Sequence, residues 1–354
     1  MLQSEIVIEF KNSWKHLLSI KGLKIVVLMR PKADVDHICD MLADVSYKNV
    51  HFRIVGAVVG QAGSAVFQNK IKEINDYAKQ HKGLVPVIVA PYLSPKKQEA
   101  CRSAGIFFID LSGNIFLAHK SFYIERVGFP NKYPEIRKGR GPFSDKASLI
   151  LRVLLSEGDK NWGVRELAQV VELDPGFVSR MAKELEYREY IIRINSKIRL
   201  RDHKCVLDDW VRNYDYRKNR MKSLFCLAAN SDDILKKLHH AKNDLPAFHL
   251  SVQAGASLVA PHSVFNEVHA YVEKEDHIDS FKKFLSLNEA EHGANVILMI
   301  PYYKNSVLWN ARRIKGLNVV SDVQLYLDLY NYPLRGREQA EHLYNKRLSL
   351  QFEG

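Results

Sequence analysis

Short apolar runs alternate with helix-like stretches over the first third of the chain. Apolar runs rich in β-branched residues at 25–28, 52–59, 85–90 and 106–110 have the length and composition of buried strands. The more polar stretches 64–81 and 95–104 have the length of surface helices. Because strands that alternate with helices imply crossover connections, this pattern predicts an α/β domain with a largely parallel sheet.

The last third of the chain predicts a second region of α/β or α+β type. Its strand-like runs cover 248–252, 268–272 and 294–300, and its helix patterns cover 232–242, 276–287, 321–331 and 336–349. A stretch at 206–222 places Val206, Leu207, Trp210 and Tyr214 on one side of a helix. We therefore expect an amphipathic helix over 206–222 that connects this region to the middle of the chain.

Three helices are predicted in the middle segment, roughly 143–203. Ser144 is a good N-cap for a strongly apolar first helix that Gly158 ends, and Asp145 suits the positive end of its dipole. In the second helix Val164, Leu167, Ala168 and Val171 share one face. The dipeptide Asp174-Pro175 then begins a third helix, since Asp is a strong N-cap and Pro is favoured at the first helical position.

The third helix is expected to present a polar face to solvent. If Val178, Met181, Ala182 and Leu185 are buried, helical geometry leaves the start of the helix and Ser179, Arg180 and Lys183 outside. A second helix with an exposed N-terminus is how a helix-turn-helix enters the major groove. Arg180 would then read guanine edges, and Ser179 and Lys183 would bind phosphates.

A basic β-hairpin should follow the third helix. Ile192 and Ile194, then Ile198 and Leu200, alternate with basic residues around an Asn195-Ser196 turn, which predicts isoleucine and leucine inward and the basic side chains outward. This is the wing expected beside a recognition helix. The predicted DNA-binding residues are Pro175, Gly176, Ser179, Arg180, Lys183, Arg193, Lys197, Arg199 and Arg201.

Composition and charge agree with a nucleic-acid-binding globular protein. The 354 residues are 46% hydrophobic with a net charge of +12, and no apolar run is long enough to span a bilayer. Residues 1–139 carry 20 basic and 12 acidic side chains (+8), 140–220 carry 17 and 13 (+4), and 221–354 carry 15 of each. Four isolated cysteines and the lack of a secretory signal fit a reducing cytoplasm.

Breaks in the pattern suggest three domains. Glycines and a proline among basic residues at 137–142 mark the clearest boundary, and this basic linker could also act as an arm that reaches into a minor groove. The predicted domains are an N-terminal α/β domain at 1–138, a winged helix-turn-helix at 139–205 and a C-terminal α/β domain at 206–354. The winged helix could instead serve only protein contacts.

Three stretches resemble the transcriptional regulators grouped with AbiEi-type antitoxins of type IV toxin–antitoxin systems. They are 109–114 (IDLSGN), 142–149 (PFSDKASL) through 178–180 (VSR), and 321–329 (SDVQLYLDL) with 335–341 (RGREQAE). The resemblance implies operator binding with autoregulation. It also implies functional pairing with a nucleotidyltransferase-like toxin that the antitoxin need not touch.

An enzyme is the alternative, and each candidate site lacks part of its chemistry. The N-terminal domain could have a nuclease-like fold, and Glu9-Phe10-Lys11 has a nuclease-like Glu-x-Lys spacing, but the strand 52–59 carries no acid to hold Mg²⁺. Gly255-Ala256-Ser257 ahead of 268–272 faintly resembles a nucleotidyltransferase-like core, whose strand here has no carboxylate pair. We therefore expect no catalytic residues in either domain.

Other conspicuous residues have structural explanations. Asp110 to Asn114 reads as a turn, Arg335 to Arg337 as the start of a helix, and the fourteen histidines lack the spacing of a helical zinc site. We expect a cytoplasmic, non-enzymatic regulator without metal or cofactor that binds double-stranded DNA as a homodimer, because symmetric operators usually require dimers.

Overall fold

The fold is taken from a computed structural model that describes residues 3–18, 20–28, 39–60, 63–133, 141–241 and 243–352. Contacts divide the chain into two units. The first contains residues 1–139 and 183–192, and the second contains 140–182 and 193–354. The three domains predicted from the sequence, with boundaries at 138 and 205, do not correspond to these two units and stay a prediction.

The N-terminal segment forms one mixed sheet with helices. Its elements in chain order are α1 (Gln3–Leu18), β1 (Leu23–Leu28), β2 (Met41–Tyr47), β3 (Val50–Val58), α2 (Ser64–Gln80), β4 (Leu84–Ala90), α3 (Pro95–Ser103), β5 (Phe107–Asp110), β6 (Ile115–His119) and β7 (Phe122–Arg126). The strands lie in sequential order from β1 to β7. The predicted strands and helices of this segment are therefore present, within three residues at each end.

The prediction of a largely parallel sheet is wrong. In the described part of the sheet, β3 to β4 and β4 to β5 pair in parallel, and the other four neighbouring pairs are antiparallel. Only the β3-α2-β4-α3-β5 portion has the crossover helices that parallel pairing requires. The sequence pattern revealed these crossovers but not the hairpins on either side, because β2, β6 and β7 lack long apolar runs.

Alternate side chains of the strands pack against α1 to form the core of this unit. Ile6, Phe10 and Trp14 of α1 belong to the same buried cluster as Ile54, Val87 and other strand residues. Their spacing of four residues puts the three α1 side chains on one face of the helix. The Glu-x-Lys spacing at Glu9 to Lys11 lies on this helix and not on a strand.

The middle of the chain forms three helices and a hairpin. These are α4 (Asp145–Ser156), α5 (Val164–Val170), α6 (Pro175–Tyr187), β8 (Ile191–Ile194) and β9 (Lys197–Leu200). Leu151, Leu167, Val178 and Ala182 are among their fully buried apolar side chains, whereas Met181, which was predicted to be buried, is only half-buried.

The C-terminal segment forms a second seven-stranded sheet with helices. Its elements are α7 (His203–Asn213), β10 (Arg220–Phe225), α8 (Ser231–Ala241), β11 (Phe248–Ser251), α9 (Val252–Val259), β12 (Val268–Val272), α10 (Glu275–Leu285), β13 (Asn288–Glu289), β14 (Val296–Ile300), β15 (Arg312–Ile314), β16 (Leu317–Val319), α11 (Asp322–Tyr330) and α12 (Gly336–Leu343). The strand order is β13-β10-β14-β12-β11-β16-β15. A mixed α/β protein with more than one sheet is thus confirmed.

One helix prediction of this segment fails. The single helix expected over 206–222 is α7, which ends at Asn213, followed by a short 3-10 turn and strand β10. Lys222 faces Leu298 across β10 and β14, so this stretch belongs to the sheet. Among the described residues, no helix is long and apolar enough to cross a membrane.

Candidate nucleic-acid interface

The candidate interface begins with two helices joined by a tight turn. After α5 the chain turns at Glu172, which has a positive φ of 52°, and the Leu173 amide donates to the Ala168 carbonyl at 3.0 Å. Asp174 then caps α6, because its Oδ1 accepts a hydrogen bond from the Phe177 amide at 2.9 Å. The predicted helix start at Asp174-Pro175 is confirmed.

The start of α6 presents a polar surface. Pro175, Gly176, Arg180 and Lys183 are exposed and Ser179 is half-buried. Arg180 Nη1 would lie 3.5 Å from a Cβ on Gly176, so the guanidinium group extends along the first turn of the helix. The helix therefore carries a positive charge beside the unsatisfied amides of its N-terminus, which is a favourable arrangement for a phosphate or a base edge.

A two-stranded hairpin follows α6. Asn195 and Ser196 both have positive φ, 49° and 67°, as the tight two-residue turn requires. Trp162 adds an antiparallel bridge to Ile198, with amide–carbonyl hydrogen bonds of 2.8 Å in both directions. The hairpin is thereby attached to the residues that precede α5.

The predicted orientation of the hairpin is only partly right. Arg193 and Lys197 are exposed, as expected. Ile194, which was expected to be buried, is 38% exposed and Ile192 is half-buried, whereas Ile191 at the start of the same strand is buried. The strand alternation is therefore not maintained to the turn, where the last residue of β8 extends beyond the core.

Two of the predicted hairpin residues do not point freely outward. Arg199 is half-buried, and its Nη1 lies 4.0 Å from Asp159 Oδ1. Arg201 is half-buried as well. The predicted residues of the second unit that are exposed are therefore Pro175, Gly176 and Arg180 at the start of α6, and Arg193 and Lys197 on the hairpin.

The end of α6 groups with the first unit. Residues 183–192 belong to that unit by their contacts. Within it, the buried Glu189 accepts a hydrogen bond from the Gly60 amide through Oε1 at 2.7 Å. Lys183 lies at the boundary between the two groups and remains exposed.

Polar contacts hold the first helix of the segment, α4, to the loop that follows strand β14. The Asp145 carboxylate accepts hydrogen bonds from the Asn305 and Ser306 amides at 3.0–3.1 Å. One turn later Ser148 Oγ donates to Ser306 Oγ at 3.0 Å. Within the second unit, α4 is thus fixed to the loop 301–307 along one side.

A buried arginine continues this attachment. Arg152 is fully buried, and its Nη2 donates to Gln324 Oε1 of α11 at 2.6 Å. The guanidinium carbon lies 5.2 Å from the centre of the Trp210 ring of α7. Burial lowers the pKa of Arg152, and the nearby Tyr214, Tyr303 and Asp328 oppose that effect.

A buried carboxylate lies at the other side of Gln324. Asp328 accepts hydrogen bonds from Ser251 Oγ and Tyr214 OH at 2.6 Å, from Gln324 Nε2 at 2.9 Å and from Tyr271 OH at 3.1 Å. Burial raises the pKa of Asp328 and these hydrogen bonds lower it, with burial the larger cause. Gln324 therefore stands between a buried cation and a buried carboxyl group.

The sequence predictions missed this network. Its one visible signal is that Gln324 and Asp328 are four residues apart on a largely apolar helix. Their partners Ser251, Tyr214 and Tyr271 come from three other elements, so no spacing along the chain connects them.

The other conspicuous stretches have the expected structural roles. Asp110 accepts hydrogen bonds from the Leu93 and Asn114 amides, and Gly113 has a φ of 111°, so 110–114 is a turn. Arg335 is the N-cap of α12, with Nε bonded to Glu338. In the described ranges no group of three or more His, Cys, Asp or Glu side chains is arranged to hold a metal ion.

The helices α4 to α6 followed by a hairpin have the element order of helix-turn-helix proteins that carry a wing. Downstream of them, residues 199–349 match the family model described as transcriptional regulator, AbiEi antitoxin, type IV TA system. The predicted resemblance to that family is confirmed over these residues, which include the stretch 321–341. No curated protein and no solved structure matches the chain.

Proposed function

We propose that this protein is a sequence-specific DNA-binding transcriptional regulator that acts as the autoregulating antitoxin of a type IV toxin–antitoxin system. In this proposal α4 to α6, β8 and β9 form a winged helix-turn-helix, and α6 is the recognition helix. The family match over 199–349 supports the regulatory and antitoxin parts.

The observation that carries the proposal is the exposed polar start of α6. Asp174 caps the helix, and Arg180 is exposed on its next turn with its guanidinium over Gly176. A long cationic side chain with five donors at the free end of a second helix suits bidentate reading of guanine. Arg193 and Lys197 are exposed on the hairpin, where they would contact flanking phosphates.

The experiment is a gel-shift or anisotropy titration with the DNA upstream of the protein's own gene. The double variant Arg180→Ala and Lys183→Ala should lower affinity at least roughly 100-fold, since a base contact and a phosphate contact are both lost. The matched control is Arg217→Ala with Lys218→Ala, which removes the same charge from exposed positions elsewhere. Equal affinities of the two double variants would contradict the assignment of α6.

Salt dependence separates DNA binding from a purely protein-binding role. Binding through several phosphate contacts falls steeply with salt concentration, because condensed counterions are released. We expect such a slope for the wild-type chain on its own operator and a shallower one for Lys197→Ala. A scaffold protein would show no salt-dependent DNA affinity.

The proposed partners follow from the role of an autoregulating antitoxin. We propose a homodimer on a symmetric operator and functional pairing with a nucleotidyltransferase-like toxin encoded beside it. Light scattering of the free chain tests the dimer, and rescue of growth when the neighbouring toxin is expressed tests the pairing.

We also propose that the protein is not an enzyme. The nucleotidyltransferase-like strand β12 reads Val-His-Ala-Tyr-Val and offers no carboxylate pair for a metal. A Mg²⁺-dependent cleavage or nucleotide-transfer assay with the full chain should show no activity. Turnover of nucleotide or nucleic acid would favour the alternative in which the winged helix only positions a substrate.

A further inference from the structure

One end of the first sheet is bounded by turns that carry lysine. The strand register brings four turns to this end: the turn before β1, the β2–β3 turn, the turn between α2 and β4, and the β6–β7 turn. Each of them has one exposed lysine, and these are Lys21, Lys48, Lys82 and Lys120. We call this end of the sheet, defined by the four residues, the lysine end.

The sheet curls at the lysine end, so that the turns approach one another. Tyr47 and Phe52 belong to β2 and β3, whereas His119 and Phe122 belong to β6 and β7 on the far side of β4 and β5. The Phe52 ring nevertheless lies 4.8 Å from the His119 ring, and the Tyr47 ring lies 5.6 Å from the Phe122 ring. A Cβ on Gly22 would lie 3.9 Å from the Tyr47 ring, so the turn before β1 adjoins the same group.

Acidic side chains do not neutralise the lysine end. The four turns with their flanking residues contain no Asp or Glu over 20–24, 47–51, 80–84 and 118–122. On the outer surface of β2 and β3, the Asp44 carboxylate is bonded to Arg53 at 2.7 Å. Asp40 and Asp110 lie at the opposite end of the sheet, before β2 and at the end of β5. Positive charge is therefore concentrated at one end of the first unit.

The backbone at two of these turns disfavours lysine. Lys48 and Lys120 both have a φ of 52°, in the left-handed region that glycine and asparagine adopt more readily. In two of the other turns glycine takes such a conformation directly after the lysine, with φ of 87° at Gly22 and 89° at Gly83. Turn geometry thus gives no reason for lysine at 48 and 120, which points to a role for their side chains.

We propose that the lysine end is a second DNA-binding surface, which contacts the phosphates of duplex DNA without reading its sequence. An ammonium group is a compact charge on a flexible stem, so it binds phosphate oxygens but lacks the planar fork with which arginine reads bases. Neighbouring strands are about 4.8 Å apart, so lysines on their turns can each reach a different phosphate. This role rests on the proposed function, because duplex DNA is the partner in both, but the surface lies wholly in the first unit.

The experiment removes the four charges and keeps the turns. The fourfold variant is Lys21→Gln, Lys48→Asn, Lys82→Gln and Lys120→Asn, with asparagine where φ is positive because it tolerates that conformation. Its affinity for a duplex of scrambled sequence is measured over a range of salt concentrations. Each lost phosphate contact removes about 0.9 from the slope of log K against log salt concentration, so the slope should become shallower by about 3–4. Affinity at low salt should fall at least roughly 10-fold.

The matched control takes the same charge from exposed lysines of the same unit that lie outside the four turns. It changes Lys11, Lys72, Lys96 and Lys132 to glutamine. Equal salt slopes for the two fourfold variants would overturn the proposal. So would a loss of affinity for single-stranded RNA with unchanged affinity for duplex DNA. If the first fourfold variant does not fold, Lys48→Asn with Lys120→Asn decides, with an expected change in slope of about 2.

Operator preference keeps this test separate from the proposed function. The ratio of operator affinity to scrambled-duplex affinity should stay at the wild-type value when the lysine end is changed, because phosphate contacts carry no sequence information. Arg180→Ala with Lys183→Ala should lower that ratio. A wild-type chain without operator preference would contradict the proposed function, and the salt slope on scrambled DNA would still decide the role of the lysine end.

Discussion

Two arginines of the same segment, Arg180 and Arg152, have opposite environments. Arg180 lies on α6 with its side chain exposed, whereas Arg152 lies on α4 and is fully buried against Trp210 and Gln324. An exposed arginine loses little hydration until a ligand arrives, so it is free to serve recognition. A buried arginine needs hydrogen-bond partners or opposite charges in the folded protein, because burial removes its hydration. Its neighbours must therefore include polar groups.

The two arginines therefore belong to different parts of the molecule. Arg180 lies on the candidate DNA-binding surface, and Arg152 lies in the interior that fixes α4. The start of α6 depends only on nearby residues. Asp174 caps the helix, and the helical period leaves one face exposed. The attachment of α4 needs partners from the loop 301–307 and from α11. Substitutions on α6 should therefore change binding, and substitutions in the network around α4 should change folding.

The strongest test of the supporting interior removes its acceptor. Asp328→Ala removes the acceptor of hydrogen bonds from four buried side chains, and it removes a carboxyl group that interacts electrostatically with Arg152. We expect the free energy of unfolding to fall by about 3–5 kcal/mol, or the chain to fail to fold. Urea unfolding measures this change, with the exposed Asp279→Ala as the control. A loss of less than 1 kcal/mol, as for a surface residue, would refute the supporting role.

Acid should lower the free energy of unfolding through a buried histidine of the second unit. Burial lowers the pKa of His269 from 6.5 to about 4, so the folded chain keeps this histidine neutral where the unfolded chain binds a proton. Stability should therefore decrease as the pH falls from 6.5 to 4, by about 3 kcal/mol from this residue alone.

Unfolding curves across that pH range, compared with those of His269→Gln, isolate the contribution. The exposed His292→Gln is the matched control for replacing a histidine by glutamine. If His269→Gln shows the same pH dependence as the wild-type chain, the histidine is not held neutral by burial.

A smaller loss is expected at the start of α4. Asp145→Ala removes the acceptor for the Asn305 and Ser306 amides and an acidic residue from the first turn of the helix. We expect the free energy of unfolding to fall by about 1–2 kcal/mol, since the site is partly exposed and water replaces some of these bonds. Asp145→Asn, which keeps an acceptor oxygen, should recover about half of the loss. No difference between the two variants would mean that these hydrogen bonds contribute nothing.

The smallest effect on stability is expected on α6. Arg180→Ala should change the free energy of unfolding by less than about 0.5 kcal/mol, because the side chain is exposed and away from the core. The same variant should lower DNA affinity at least roughly 10-fold. A stability loss as large as that of Asp145→Ala would remove the contrast between the two helices.

Local patterns along the chain predicted most of the secondary structure. The strand Val268–Val272 has the predicted bounds, and α5, α6 and β4 lie within a few residues of theirs. Two strands were missed: β10 was taken as the end of a helix, and β2 was not seen at all. β10 has few apolar residues, whereas β2 alternates buried and half-buried residues but has no continuous β-branched run, so pairing with neighbouring strands identifies both.

The candidate interface was predictable only in part, where the periodicity of a single helix decides which side chains are exposed. Exposure of Arg180 and Lys183 follows from the position of Val178 and Ala182 on the opposite face of one helix. The half-buried state of Arg199, beside Asp159, depends on a residue forty positions away that period-2 alternation does not include. The exposure of Ile194 likewise reflects where the hairpin leaves the core.

The sequence by itself determined most of the elements, the capped start of α6 and the resemblance that the family match over 199–349 confirms. These features depend on residues a few positions apart, and short-range geometry fixes them. Only the tertiary structure decided that Arg152 is buried, that Gln324 separates it from Asp328 and that α4 is held to the loop 301–307. A charge in the interior is stable only with partners that folding brings from distant parts of the chain, and no local pattern records them.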